Sequence, residues 1–184
     1  MPIVPSEDAS ATAILEAAVS ERVTDSAFAT SKLRQADIGN LGHSTLHRVE
    51  VLPLGSIRSG TSLRDAKRLD LGWRFLIHAA SGTIAAATVI KKGDKYEFAG
   101  FSEGDLVTAT DAAIHFAEGR DEIRNGRFEP ILLQIPELHI AVLWLKDLDG
   151  GSDYIVRQAG QLMTSAQFSE YLLDLAKVTR RKRG

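Results

Sequence analysis

The stretch Trp73–Phe101, WRFLIHAASGTIAAATVIKKGDKYEFAGF, decides the fold class. Two runs rich in apolar and β-branched residues, Trp73–Ala79 and Thr83–Lys91, are separated by Ala80–Gly82 alone, and Lys91–Asp94 (KKGD) leads from the second run to Tyr96–Phe101. Gaps this short turn a chain back on itself, whereas parallel neighbours need a crossover of roughly a dozen residues or more. The stretch therefore predicts three antiparallel strands in a meander. In the last of them Tyr96, Phe98 and Gly100 alternate with Glu97 and Ala99, as expected when one face is covered and the other is partly wet.

Downstream, Ser102 stands three residues before Asp105, the spacing of a capping box, and Gly119 supplies a stop. A helix over residues 105–118 follows, with Leu106, Ala109 or Thr110, Ala113, Ile114 and Ala117 inward. Pro130 and Pro136 then punctuate two apolar runs, Ile131–Ile135 and Leu138–Leu145. The second lacks alternation and predicts a central strand covered on both faces. The turn Asp147–Asp153 (DLDGGSD) joins it to Tyr154–Arg157 as a hairpin with a longer loop. Ser165 is placed to cap a final helix carrying Phe168, Leu172, Leu175 and Ala176, with Arg180–Arg183 at its negative end.

Upstream, Leu46–Leu54 (LHRVEVLPL) reads as a strand that Pro53 confines to an edge or to a strand end. Gly55–Thr61 is a loop. Ser62–Leu69 predicts a short helix with Leu63, Ala66 and Leu69 inward, broken by Gly72. Within residues 6–36, Ile14, Leu15, Ala18, Val19 and Val23 recur at helical spacing, and Asp37–Ser44 (DIGNLGHS) is a loop. The division expected is an N-terminal helical arm, 1–40, and a single α+β domain, 41–184. Its architecture is a mainly antiparallel sheet, meander plus hairpin, with helices packed on one face.

Composition limits the function classes. A chain of 184 residues fits one domain, and 44% hydrophobic with 25% charged residues is ordinary for a folded protein. Twenty-two basic against twenty-four acidic residues give a net charge of -2, which makes nucleic acid a disfavoured partner. No cysteine is present, which rules out disulfides and thiolate metal sites and suits a reducing cytoplasm. The opening MPIVPSEDAS has an acidic pair where a secretory signal needs basic residues, and apolar runs such as Ile140–Leu145 are too short to span a bilayer.

Four constellations resemble chemistry and each departs from it. Gly55–Ser62 (GSIRSGTS) has the glycine interval of a phosphate loop after a strand, but Thr61 stands where that loop needs lysine. A weaker anion site made of Arg58, Ser59, Gly60, Thr61, Ser62 and Arg64 is the expectation there. Gly42-His43-Ser44 begins like a nucleophile elbow, yet Leu46 replaces its second glycine. His43 and His47 are four apart, too few ligands for zinc without His115 or His139. Asp147, Asp149 and Asp153 offer oxygens, but Ser152 occupies the glycine position of a calcium loop and Gln158 its terminal glutamate position. No catalytic residue, cofactor or metal is therefore expected. The expected function is a non-catalytic protein-binding or accessory module, with another protein or a second copy as partner. The alternatives are a small-molecule or anion-binding protein, an enzyme included, using Gly55–Ser62, and a nucleic-acid accessory protein using the basic tail Arg180, Arg181, Lys182 and Arg183.

Overall fold

Apolar residues at consecutive strand positions, Phe75-Leu76-Ile77, Ala85–Ala87 and Val142–Leu145, leave both faces of a sheet in need of cover. The computed structural model, which describes residues 2–4, 8–22, 30–43, 46–58, 60–157 and 160–181, meets that need with one mixed sheet and five helices. The chain begins with α1 (Ala9–Arg22), α2 (Ser31–Gln35), β1 (Gly42–His43) and β2 (His47–Val51). It continues through β3 (Leu69–Ala79), β4 (Gly82–Lys92), β5 (Lys95–Ser102), α3 (Asp105–Glu118) and α4 (Asp121–Arg124). The remainder is β6 (Phe128–Ile135), β7 (Ile140–Asp147), β8 (Tyr154–Arg157), β9 (Gln161–Thr164) and α5 (Ser165–Arg181). The strands lie in the order β5-β4-β3-β2-β6-β7-β8-β9, and β1 pairs with the far end of β3. All pairings of these strands are antiparallel except β2 with β6.

Helices cover both faces, which corrects the expectation of one. Trp73, Arg48, Ile131 and Trp144 are register partners straight across the sheet and so share a face. On that face Ala11 and Leu15 of α1 and Leu33 of α2 bury against Trp73, Phe75, Ile77 and Ala87. Farther along the same face Phe168 and Leu172 of α5 bury against Ile131, Leu133, Trp144 and Ile155, together with Leu52, Leu63 and Ala66. The opposite face takes Val107 of α3 on Leu76 and Ala86, and Ala117 and Ile123 on Phe128, Leu143 and Leu145.

Several element boundaries differ from expectation for physical reasons. The strand expected over Leu138–Leu145 runs Ile140–Asp147, because Pro136–Leu138 forms a 3₁₀ turn. It is interior, between β6 and β8, while the middle of the sheet is β2 with β6. Pro53 marks a strand end, since β2 is central and stops at Val51. Pro130 lies inside β6 one residue before the β2 ladder begins at Arg48–Ile131. No helix forms at 62–69. The guanidinium of Arg68 gathers the carbonyls of Leu63, Arg64 and Ala66, the first two of which a helix over 62–69 would have paired with the amides of residues 67 and 68. Leu69 instead opens β3 and is half exposed. Gly72 breaks no helix: it sits within β3 at φ 125°, where a Cβ would lie 2.1 Å from the Val89 carbonyl oxygen.

Two caps also move. The Ncap of α3 is Gly104, with no side-chain cap, and the hydroxyl of Ser102 accepts from the buried Arg74 at 2.8 Å. Before α5 the reciprocal pair of a capping box is made by Thr164 and Gln167 rather than by Ser165: the Gln167 amide donates to Thr164 Oγ1 at 3.3 Å and the Thr164 amide to Gln167 Oε1 at 2.9 Å.

Candidate functional site

β5 ends the strand order, and among the described residues it pairs only with β4. Its outer edge therefore has no strand partner for its main-chain donors and acceptors among the described residues. Thr88 faces Gly100 and Val89 faces Phe98, so Ala99 is an inserted residue, a bulge that puts Phe98 and Phe101 on the same side. Their rings meet edge to face with centroids 4.9 Å apart.

α1 lies beside this strand because its small residues allow close approach: Ala11 and Ala18 are buried, as is Leu15. Between helix and strand runs an open groove of about 390 Å³ whose apolar lining comes from Ile14, Ala17 and Ala18 on one side and Tyr96 and Phe98 on the other. Glu21 and Glu97 add two carboxylates. Glu97 also pairs with Lys92 at 3.1 Å, and both side chains are exposed. The arrangement joins a strand edge to a side-chain groove along one line.

Among the residues expected to bind an anion, several have partners within the protein. Arg64 is committed elsewhere: its Nε donates to Asp153 Oδ2 at 2.9 Å, its Nη2 to the Asp147 carbonyl at 2.8 Å and to Asp153 Oδ1. The hydrogen bond to Asp153 raises the Arg64 pKa against the opposing effect of burial. The Ser62 hydroxyl donates to Asp65 at 2.6 Å, and the Thr61 amide closes a turn on the Arg58 carbonyl at 3.0 Å. Gly60 sits at φ 78° in that turn. Ser59 lies outside the described residues. Arg58 lines a concavity, a cleft against Leu172, Leu173, Ala176 and Lys177 of α5.

The other constellations resolve similarly. Asp147 Oδ1 accepts from the amides of Asp149 and Gly151, each at 2.8 Å, and Asp153 accepts from the Asp147 amide at 2.9 Å, so this turn ties its own carboxylates down. Gly42 and His43 form β1, His47 is fully buried in β2, and Ser44 and Gln158 lie outside the described residues. Among the described residues no three candidate ligands converge as a metal site would require. The side chains of Arg180 and Arg181, and all of Lys182 and Arg183, lie outside the described residues. No described helix is long and apolar enough to cross a membrane.

Two juxtapositions are not read from the sequence: Ile14 and Ala17 share a groove with Tyr96 and Phe98, and Arg58 and Lys177 line one cleft. The alternation in Tyr96–Gly100 was the one local signal for the first; nothing local announces the second. No family model matches the chain, and no curated protein or solved structure matches it.

Proposed function

We propose that this chain is a non-catalytic protein-binding module that takes an extended segment of a partner along the outer edge of β5. The observation behind this reading is the juxtaposition of that edge with the groove between α1 and Tyr96–Phe98. Strand addition gains affinity from main-chain hydrogen bonds and selectivity from pockets that receive alternate side chains. A segment apolar at alternate positions fits the groove, and a basic residue among them meets Glu21 or Glu97. In this reading β3–β5 act as a meander whose last strand is the docking edge, and β7–β8 as the hairpin of the other half. The arm 1–40 supplies one wall of the site. A second copy of the chain is the self-associating form of the same proposal, and a reducing cytoplasm is the setting that suits a cysteine-free chain.

Peptides selected from a displayed random library on the full chain test the idea. Expected are sequences apolar at every second position that slow amide exchange within Lys95–Ser102, and at least a tenfold loss of affinity in Ala17→Trp, which fills the groove from an exposed position. Selected peptides that protect other strands, or that bind Ala17→Trp equally well, would refute it. Sedimentation of the chain alone decides between another protein and a second copy. A small anionic ligand is the second reading, favoured by the place of Arg58 in the α5 cleft.

A further inference from the structure

We propose that the cleft between Leu54–Arg58 and α5 binds an amphipathic carboxylate, an aliphatic chain ending in a single anionic group. The cleft measures about 440 Å³, within the roughly 300–1,000 Å³ of small-ligand sites. Leu54 and Ile57 line it from the segment and Leu172, Leu173 and Ala176 from α5. Each wall adds one exposed cation, Arg58 from the segment and Lys177 from the helix. Apolar walls with two cations at the margin are complementary to a ligand that is itself divided into an apolar tail and an anionic head.

The neighbouring charges leave these cations available. Arg64 and Arg68, the other arginines of this region, are held by Asp153 and Glu50, whereas Arg58 is not part of either pair. Lys177 Nζ donates to Asp174 Oδ1 at 2.8 Å, but the two side chains are 71% and 76% exposed, and a pair so solvated contributes little. Ligand carboxylate can replace it. Glu137 accepts from the Leu54 amide at 3.1 Å. Carbonyls at the C-terminal end of α5 carry partial negative charge, which Lys177 helps to offset.

The walls also select among anions. Their side chains are aliphatic, with no aromatic ring on which a nucleotide base would stack. Bare phosphate would leave the apolar wall unused. Since β5 and β9 are the opposite ends of the strand order and α5 follows β9, this site is independent of the groove beside β5.

Calorimetric titration of the full chain with hexanoate, octanoate and decanoate, each below its micelle-forming concentration, tests the proposal. Every methylene that leaves water is expected to tighten binding roughly threefold to fourfold, so affinity should climb steeply along the series. Arg58→Glu with Lys177→Glu should weaken decanoate binding at least tenfold while the thermal midpoint holds. If that double variant melts early, Arg58→Gln and Lys177→Gln singly should each show a smaller loss. Decyltrimethylammonium, with the same tail and the opposite charge, should bind at least tenfold more weakly than decanoate. Equal binding of the two amphiphiles, affinity independent of chain length, or decanoate binding unmoved by the charge variants would overturn it. So would failure of every alkanoate to bind, including the case in which an acidic peptide occupies the cleft instead.

Discussion

Glu103 is the residue through which the N-terminal segment is electrically fastened to the sheet. It follows β5 directly, and its carboxylate accepts from the Ser31 hydroxyl at 2.7 Å and from the Lys32 amide at 3.2 Å, at the start of α2. Thr30 completes that helix start by accepting from the Leu33 amide. The Ser31 hydrogen bond, followed by that of the Lys32 amide, lowers the Glu103 pKa from its ordinary value near 4.5. A group whose pKa falls on folding stabilises the fold above its unfolded value and ceases to do so as pH falls through the folded one. The Lys32 amide resonance should therefore titrate with a midpoint below 4.5, and Glu103→Gln should abolish that titration and speed amide exchange at Lys32. A midpoint at or above the ordinary value, or a titration that survives the substitution, would place the contact elsewhere.

At the scale of elements, α1 has the clearest energetic consequence. Leu15 is 1% exposed and lies in the same buried cluster as Phe75, Ile77 and Ala87. The other buried side chains of α1 are Ala11 and Ala18, with Ile14 and Val19 only partly buried, so Leu15 carries much of the helix's buried apolar area. Leu15→Ala should cost about 2–5 kcal/mol, the usual range for a buried leucine, and removal of residues 1–36 should lower the denaturation midpoint further. A truncated chain as stable as the whole, measured by denaturant unfolding, would mean that α1 contributes nothing to the body. Elements such as α3 were legible because their determinants are local: the span Asp105–Glu118 and its stop at Gly119 match the expectation, although Gly104 rather than Ser102 is its cap. The turns around Gly82 and Gly93, both at positive φ, were legible for the same reason. Residues 62–68 were not, since a helix pattern there is overridden by Arg68, whose partner Glu50 stands on β2. The groove and the α5 cleft were hidden too, because each is made from two segments far apart in the chain.

The whole molecule divides at the parallel join of β2 with β6, where sequence pattern is equally silent about which strands meet. On the face shared by α1 and α5, this join is not apolar. Arg48 lies 5.0 Å over the Trp73 ring and pairs with Glu129 at 3.6 Å, and Glu129 also pairs with Lys146 at 3.6 Å. Arg68 lies 4.8 Å over the Trp144 ring and pairs with Glu50 at 2.6 Å. Two tryptophans, one on each side of the join, thus carry arginines that bind carboxylates between them, which holds the halves in register through charge as well as backbone. Glu50 is 7% exposed. Arg68→Met should therefore destabilise the fold by about 3–5 kcal/mol, because it strands a buried carboxylate and also frees three loop carbonyls. Adding Glu50→Gln to it should recover part of that loss, the share owed to the unpaired charge. The remainder, owed to the carbonyls of Leu63, Arg64 and Ala66, should persist in the double variant. Chemical denaturation of the two single variants and the double variant measures the coupling directly. Strictly additive losses would mean that Glu50 and Arg68 act separately.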